Sequence, residues 1–401
     1  MRLPKFQFGA CALLLVSWAA RADVVADWAD QTTAIADDGT NTVRTIALAQ
    51  SAVYEAVNAI TSRYPRDRVD LGTASGASIE AAVAAANRAV LLHEAPALKE
   101  RTEAAYAQAL GKIADGEART KGNSIGERAA ADVLGKHTDD LGNPEPYRPL
   151  TTPGVYVPTT IPQGWAFAQH KPWLMKSPAQ FRPDPPPALN GAVWARDYNE
   201  IKALGSASST VRTPEQTQIA RFWATSLPDI YIGVVRSVAI GSGRDMTRNA
   251  RLYAAVAAAM NDAEIAAQDA KYHYNFWRPI TAIRNADTDG NVATDRDATW
   301  RPIDETPLHP EYPCAHCIQS GAVAGVIRIV LGTNEIPEVS LASPTTPGVV
   351  HRFTDVTALT EEVANARVWA GFHYRFSTRV GTEMGLKLGE YVVKNSMQPR
   401  D

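Results

Sequence analysis

Three short patterns in the last third of the chain put cations beside histidines. Lys271-YHYNFW-Arg278-Pro279 carries two cations seven positions apart, close to two helical turns, so both would project from one helical face. They repel unless an anion or carboxylate lies between them. YPCAHC, Tyr312 to Cys317, sets His316 just after Pro313. A helix starting at Ala315 would hold His316 in its first turn, where free N–H groups and the helix dipole favour an anion. Arg367-VWAGF-His373 is flanked by aromatic residues that point to an interior position, and Gly371 should end the helix and turn His373 back towards the arginine.

Taken singly, each pattern has a bland structural explanation. Jointly, Lys271, Arg278 and Arg367 are three cations in mostly apolar helices, and burying each without counter-charge costs several kcal/mol or more. A compact, multiply charged oxyanion would offset that cost, with two histidines available to touch it. The two cysteines of YPCAHC raise competing readings. A zinc knuckle needs two further ligands, and His309 and His316 lie within the same eight residues. A redox dithiol ordinarily accompanies an α/β pattern, which this chain lacks. A Cys314–Cys317 disulfide would close only a tiny loop and is no structural staple.

The elements that must position these residues are helical. Apolar periodicity or alanine density predicts helices over 41–60, 74–92, 95–114, 122–134, 192–204, 214–223, 247–272, 315–331, 360–369 and 378–394. Thr213-Pro214-Glu215-Gln216 has the makings of a capping box. Strand-like alternation is scarce, so the expected fold class is all-α. Residues 143–189 break the pattern. Their prolines exclude regular helix, yet Trp165, Phe167, Trp173 and Phe181 make the stretch too aromatic for a disordered linker. A long ordered loop clamped on the helical body, roofing a site, is the expectation.

Arg2 and Lys5, the apolar run Phe8–Val16 and Ala20-Arg21-Ala22 read as a signal peptide over 1–22, cut before Asp23. The mature chain then divides into an N-terminal helical region, 23–235, and a C-terminal one, 236–401, that carries the charged patterns. No later stretch is apolar enough to span a bilayer, and a formal net charge of −3 argues against nucleic acid as a partner. A periplasmic or secreted protein with small-molecule substrates is expected. Oligomeric state is left open.

The set Lys-x6-Arg-Pro, then Pro-x-x-His, then Arg-x5-His resembles the vanadium-dependent haloperoxidase and type 2 phosphatidic acid phosphatase superfamily. KYHYNFWRPITAIR, HPEYPCAHC and ARVWAGFHYRF look like its bacterial haloperoxidase-type members, as, more loosely, do LAQSAVYEAVNAI and RTPEQTQIARFW. The resemblance implies a helical bundle in which vanadate or phosphate is neutralised by Lys271, Arg278 and Arg367. His373 would bond vanadium or attack phosphorus, and His316 would be the acid–base group. One pocket can serve both chemistries because five-coordinate vanadate resembles the transition state of phosphoryl transfer.

Three positions depart from or qualify that pattern. Cys314 stands where the family usually has a serine that donates to the oxyanion. It is the weaker donor, although the Ala315 N–H keeps its contact. Ser377 stands where phosphatases carry an aspartate four residues after the histidine, which counts against phosphohistidine chemistry. A free thiol beside the metal would be oxidised by peroxide turnover unless already a disulfide. His309 lies seven residues before His316, where bromoperoxidases have a second histidine and chloroperoxidases a phenylalanine. The leading expectation is oxidation of halide, bromide rather than chloride, by hydrogen peroxide at a vanadate bonded to His373. The alternatives are a secreted acid phosphatase acting on phosphate esters and a non-catalytic oxyanion-binding relative.

Overall fold

Alanine and glycine, by allowing helix axes to approach closely, set the architecture. The structure, a computed structural model, describes residues 23–37, 41–65, 71, 74–138, 147–158, 160–225 and 228–396. Segment 1–22, expected to be a signal peptide, lies outside the described residues. Among them are thirteen α-helices: α1 (Val24–Ala36), α2 (Thr42–Thr61), α3 (Ile79–Glu94), α4 (Lys99–Leu110), α5 (Glu117–Lys136), α6 (Ala192–Leu204), α7 (Pro214–Phe222), α8 (Pro228–Gly241), α9 (Met246–Tyr274), α10 (Pro279–Arg284), α11 (Ala315–Leu331), α12 (Val356–Trp369) and α13 (Arg375–Asn395). One antiparallel hairpin, β1 (Glu335–Ala342) and β2 (Val350–Asp355), precedes α12. The fold is all-α.

The central element is α9, started by the Asp245 carboxylate, which accepts the Arg248 N–H at 2.9 Å, and buried along most of its length. α2 and α11 pack along α9, and α13 packs along α11. One apolar cluster runs from Val25 in α1 to Val393 in α13, so the regions 23–235 and 236–401 share it. Along the α11–α13 contact, Gly321 faces Gly385, Gly325 faces Gly389, and Gly381 lies against Cys314 and Cys317. A Cβ on Gly385 would lie 2.1 Å from the Ile318 carbonyl oxygen, and one on Gly389 would lie 2.2 Å from that of Ala322. Only glycine permits this approach, which fixes the start of α11, where His316 sits, against the start of α13, two residues after His373.

α6 and α11 begin and end as expected, and Thr213 and Gln216 form the capping box of α7. The expected helix over 95–114 is shorter, because Pro96–Leu98 form a 3-10 turn and α4 ends at Leu110. α1, α8, α10 and the hairpin were not expected. α8 carries PDIYIGVVRSVAIG and is buried on most sides, so neither the helical nor the strand period stands out in its sequence. In β1, Pro337 and a register shift between Glu335 and Val339 blur the alternation.

The Pro-rich stretch, described from Tyr147 onward apart from residue 159, is an ordered loop tied to α9. The buried Asp262 carboxylate accepts the N–H groups of Trp173, Leu174 and Met175. Arg182 forms a paired hydrogen bond with Asp269 at 2.9 and 2.8 Å. Gly164, at φ +77°, lies so close to the Gln268 amide that a Cβ there would sit 2.8 Å from its Cδ. Among the described residues no helix is long and apolar enough to cross a membrane.

Candidate functional site

Segment 309–316 gathers the charged groups. Lys271, fully buried in the last turn of α9, donates from Nζ to the carbonyls of Pro310 and Glu311, each at 2.9 Å. The expectation that Lys271 and Arg278 share one helical face is corrected. α9 stops at Tyr274, Asn275 takes a left-handed cap at φ +47°, and Arg278 stands before Pro279, which disfavours helical backbone. Arg278 reaches the same segment from its own loop. Its Nε donates to the His309 carbonyl at 2.8 Å, Nη2 reaches His309 Nδ1 at 2.9 Å, and Nη1 meets the Phe372 carbonyl at 3.0 Å and His373 Nε2 at 3.3 Å.

The third pattern folds as its glycine implies. α12 ends at Trp369, and Gly371, at φ +82°, leaves room for the Gly205 carbonyl, 2.5 Å from where a Cβ would lie. Phe372 and His373 then donate their N–H groups back to the Arg367 carbonyl at 3.1 and 3.3 Å. The Arg367 guanidinium lies over the Phe372 ring and donates to the Trp223 carbonyl at 2.8 Å, while its Nε is enclosed without a partner. His316 occupies the first turn of α11. Its ring is tied to the Thr225 backbone, and its Nε2 is enclosed without a partner. His316, Arg367 and Phe372 border one cavity, and His309, Ala315 and His316 border another.

Sequence reasoning missed Glu311. This fully buried carboxylate accepts from His373 Nδ1 at 2.8 Å and from the Tyr374 N–H at 3.1 Å. With Nδ1–H committed to a carboxylate, His373 presents its Nε2 lone pair to the cation cluster, as a metal ligand or nucleophile must. Glu311 also does for His373 what the carboxylate absent at Ser377 would have done. The only signal was an acid embedded in the otherwise uncharged HPEYPC.

Cys314 does not play the part expected of it. It is disulfide-bonded to Cys317, and its sulfur accepts the Cys317 N–H at 3.2 Å as the N-cap of α11. A disulfide sulfur has no proton to donate to an oxyanion. Ala315 remains at the edge of the site with its backbone N–H in the first turn, where such groups have no helical partner.

The electrostatics describe a site short of negative charge. Burial, then the charge of Arg278, holds Lys271 well below the ordinary lysine range. Burial lowers Arg278 to about 10, and burial with repulsion from Arg278 lowers Arg367 to about 9. His309, His316 and His373 are pushed well below 6.5, first by burial and then by these cations. Burial raises Glu311 to about 7 against the pull of Lys271 and Arg278. Three buried cations thus surround one fully buried carboxylate, Glu311, while Glu264 acts on Lys271 and Asp304 on Arg367 without contact.

Residues 251–401 match the family described as the VCPO second helical-bundle domain, which spans every one of these patterns. Vanadium chloroperoxidase of Curvularia inaequalis is 27% identical in sequence, with 56% of this chain and 47% of that protein aligned. The chain is a relative of the vanadium haloperoxidases. It spans about half the length of that curated relative. Among solved structures, the first bacterial vanadium-dependent iodoperoxidase superposes with a TM-score of 0.79 at 22% identity, covering 94% of this chain and 97% of the other. An apo-type bacterial vanadium-dependent chloroperoxidase superposes at 0.69 with 18% identity, covering 89% and 93%. At those identities the superpositions establish the shared helical fold.

The haloperoxidase relationship implies vanadate, and this chain's residues fit it. The enclosed, unpartnered His316 Nε2 and Arg367 Nε are donors or acceptors awaiting a polar guest. Lys271 and Arg278 would neutralise further oxygens, and His373 Nε2 would be the ligand.

Proposed function

We propose that the chain is a vanadium-dependent haloperoxidase that oxidises halide with hydrogen peroxide, outside the cytoplasm on the evidence of its export-type N terminus. The observation that carries this reading is the cluster of three buried cations around a histidine whose Nδ1 proton is held by Glu311. Vanadate, when bound, supplies Lewis-acid activation of peroxide towards halide. Lys271, Arg278 and Arg367 balance the oxyanion's charge, Arg278 and Arg367 with directional guanidinium N–H groups. Glu311 keeps His373 in the tautomer whose Nε2 carries the lone pair, turned towards Arg278 Nη1. His316, neutral and open at Nε2, takes or gives the proton of a reacting oxygen.

Bromide rather than chloride is favoured by His309, whose ring borders the cavity beside His316 while Arg278 holds its Nδ1. The relatives named above act on iodide or chloride by their own descriptions, so the shared fold leaves the halide open and the residue at 309 is the discriminating feature. The Cys314–Cys317 disulfide suits this chemistry, because peroxide would attack a free thiol there.

Glu311 also favours a second reading, an acid phosphatase in which His373 attacks phosphorus and His316 protonates the leaving alcohol. A carboxylate on Nδ1 stabilises the imidazolium character that such a step builds. One preparation assayed twice decides: bromination of a dye with peroxide and bromide, and hydrolysis of an aryl phosphate, each with and without vanadate. Vanadate-dependent bromination supports the first reading, and vanadate-inhibited hydrolysis the second. Anion binding without either activity leaves a non-catalytic oxyanion binder.

A further inference from the structure

His316 stands between two cavities of different character. The one it shares with Arg367 has walls of mixed charge, Arg221 and Arg367 against Asp304 and Glu305. The other, about 330 Å³, has apolar walls from Phe167, Met260, Val43 and Pro228, and Glu264 is the one acidic residue among those lining it. Glu264 is held rigidly. The Gln268 amide donates to its Oε1 at 2.8 Å and the Gln319 amide to its Oε2 at 3.1 Å. Among the described residues no lysine, arginine or histidine forms an ion pair with Glu264, so it stands half-buried and oriented, with Lys271 acting on it only through space. Each carboxylate oxygen can still accept a second hydrogen bond.

We propose that this cavity binds an organic amine, with its ammonium on Glu264 and its apolar body against Phe167 and Met260, beside His309 and His316. The volume suits a single-ring molecule. An aromatic ring at the wall adds a face attractive to a cation. The charge balance favours a cation once the neighbouring oxyanion site is filled. Lys271 lies in the field of Glu264, and an oxyanion that takes up the charge of Lys271, Arg278 and Arg367 leaves Glu264 less opposed and the cavity more favourable to a cation. That last point rests on the oxyanion reading; the cavity and the carboxylate do not. An amine held there would meet an oxidised halogen or a phosphoryl group as it leaves the His316 side of the oxyanion site.

The test is direct titration with benzylamine, benzyl alcohol and phenylacetate, without peroxide or halide, so that loss of turnover cannot be mistaken for loss of binding. Each is measured in the absence and presence of inorganic phosphate. Benzylamine should bind saturably, more tightly with phosphate present, and phenylacetate should not. Glu264→Gln, which keeps the side chain's shape, should weaken benzylamine roughly tenfold or more and leave benzyl alcohol nearly unchanged. Phe167→Ala should weaken both. Absence of benzylamine binding to folded protein, equal binding of phenylacetate, or an undiminished Glu264→Gln variant would overturn the proposal. Amine binding that ignores phosphate would overturn its link to the oxyanion site and leave the amine pocket standing.

Discussion

Glu311 and His373 form the pair on which the site's chemistry turns. Glu311→Gln removes the carboxylate while keeping the shape, and vanadate affinity should fall roughly 10- to 100-fold, the cost usual for losing the partner that orients a ligating histidine. Equilibrium titration checks this, and an unchanged affinity would show that the carboxylate is only a counter-charge. The buried histidines also set an acid limit. His309, His316 and His373 are held well below 6.5, so below that pH the unfolded chain binds up to three imidazole protons that the fold excludes. Glu311 works in the opposite sense, because the fold keeps its proton from about 7 down to its ordinary 4.5. The unfolded chain therefore binds about two more protons, and stability should drop by roughly 2–3 kcal/mol per unit as pH falls from about 6 to 5. Urea unfolding across that range without added anion measures it, and a flat profile would contradict the burial of these rings. Lys271, Arg278, Arg367, His316 and His373 were legible as a set because cations and histidines in apolar surroundings call for an anion among them. Glu311 was not, because its partner lies 62 positions away and no periodicity links the two.

At the level of elements, two histidines on different segments stay in register because α11 and α13 touch through glycine. Gly385→Ala would place a methyl group against the Ile318 carbonyl and force the helices apart, at a cost of about 1–3 kcal/mol, typical of overpacking. Thermal unfolding reads the cost. Oxyanion affinity should fall in parallel, since His316 and His373 would separate, whereas an undisturbed affinity would show that the site does not depend on this contact. The helix over 315–331 was legible to the residue from its apolar run between Pro313 and Gly332. The four-residue glycine spacing was equally present in the sequence but says nothing of its partner until both helices are placed. Lys271 and Arg278 show the converse. Their spacing suggested one face, yet a left-handed Asn275 and Pro279 end the helix between them, and the cations converge through tertiary contacts instead.

Over the whole molecule, the Pro-rich loop reaches the cavity beside His316 through Phe167. Its aromatic content made its order legible, but not its anchor, because the acid that holds it belongs to α9, some 90 residues on. Asp262→Ala would strand three N–H groups, two of them buried, and should cost at least about 2 kcal/mol. Limited proteolysis should then cut within 147–189 before the helices unfold, and cleavage elsewhere first would argue that the loop is held by other means. Since Phe167 of this loop also walls the cavity beside His316, the same variant should lose affinity for any ligand there.

Five side chains from separate parts of the chain, Lys271, Arg278, His316, Arg367 and His373, should close around a single oxyanion. A crystal structure of the protein soaked with vanadate tests it most directly. Vanadium should lie within bonding distance of His373 Nε2, with its oxygens on the three cations. Vanadium absent from that cluster at saturating concentration, or bound elsewhere on the protein, would rule out a shared oxyanion site for these five residues.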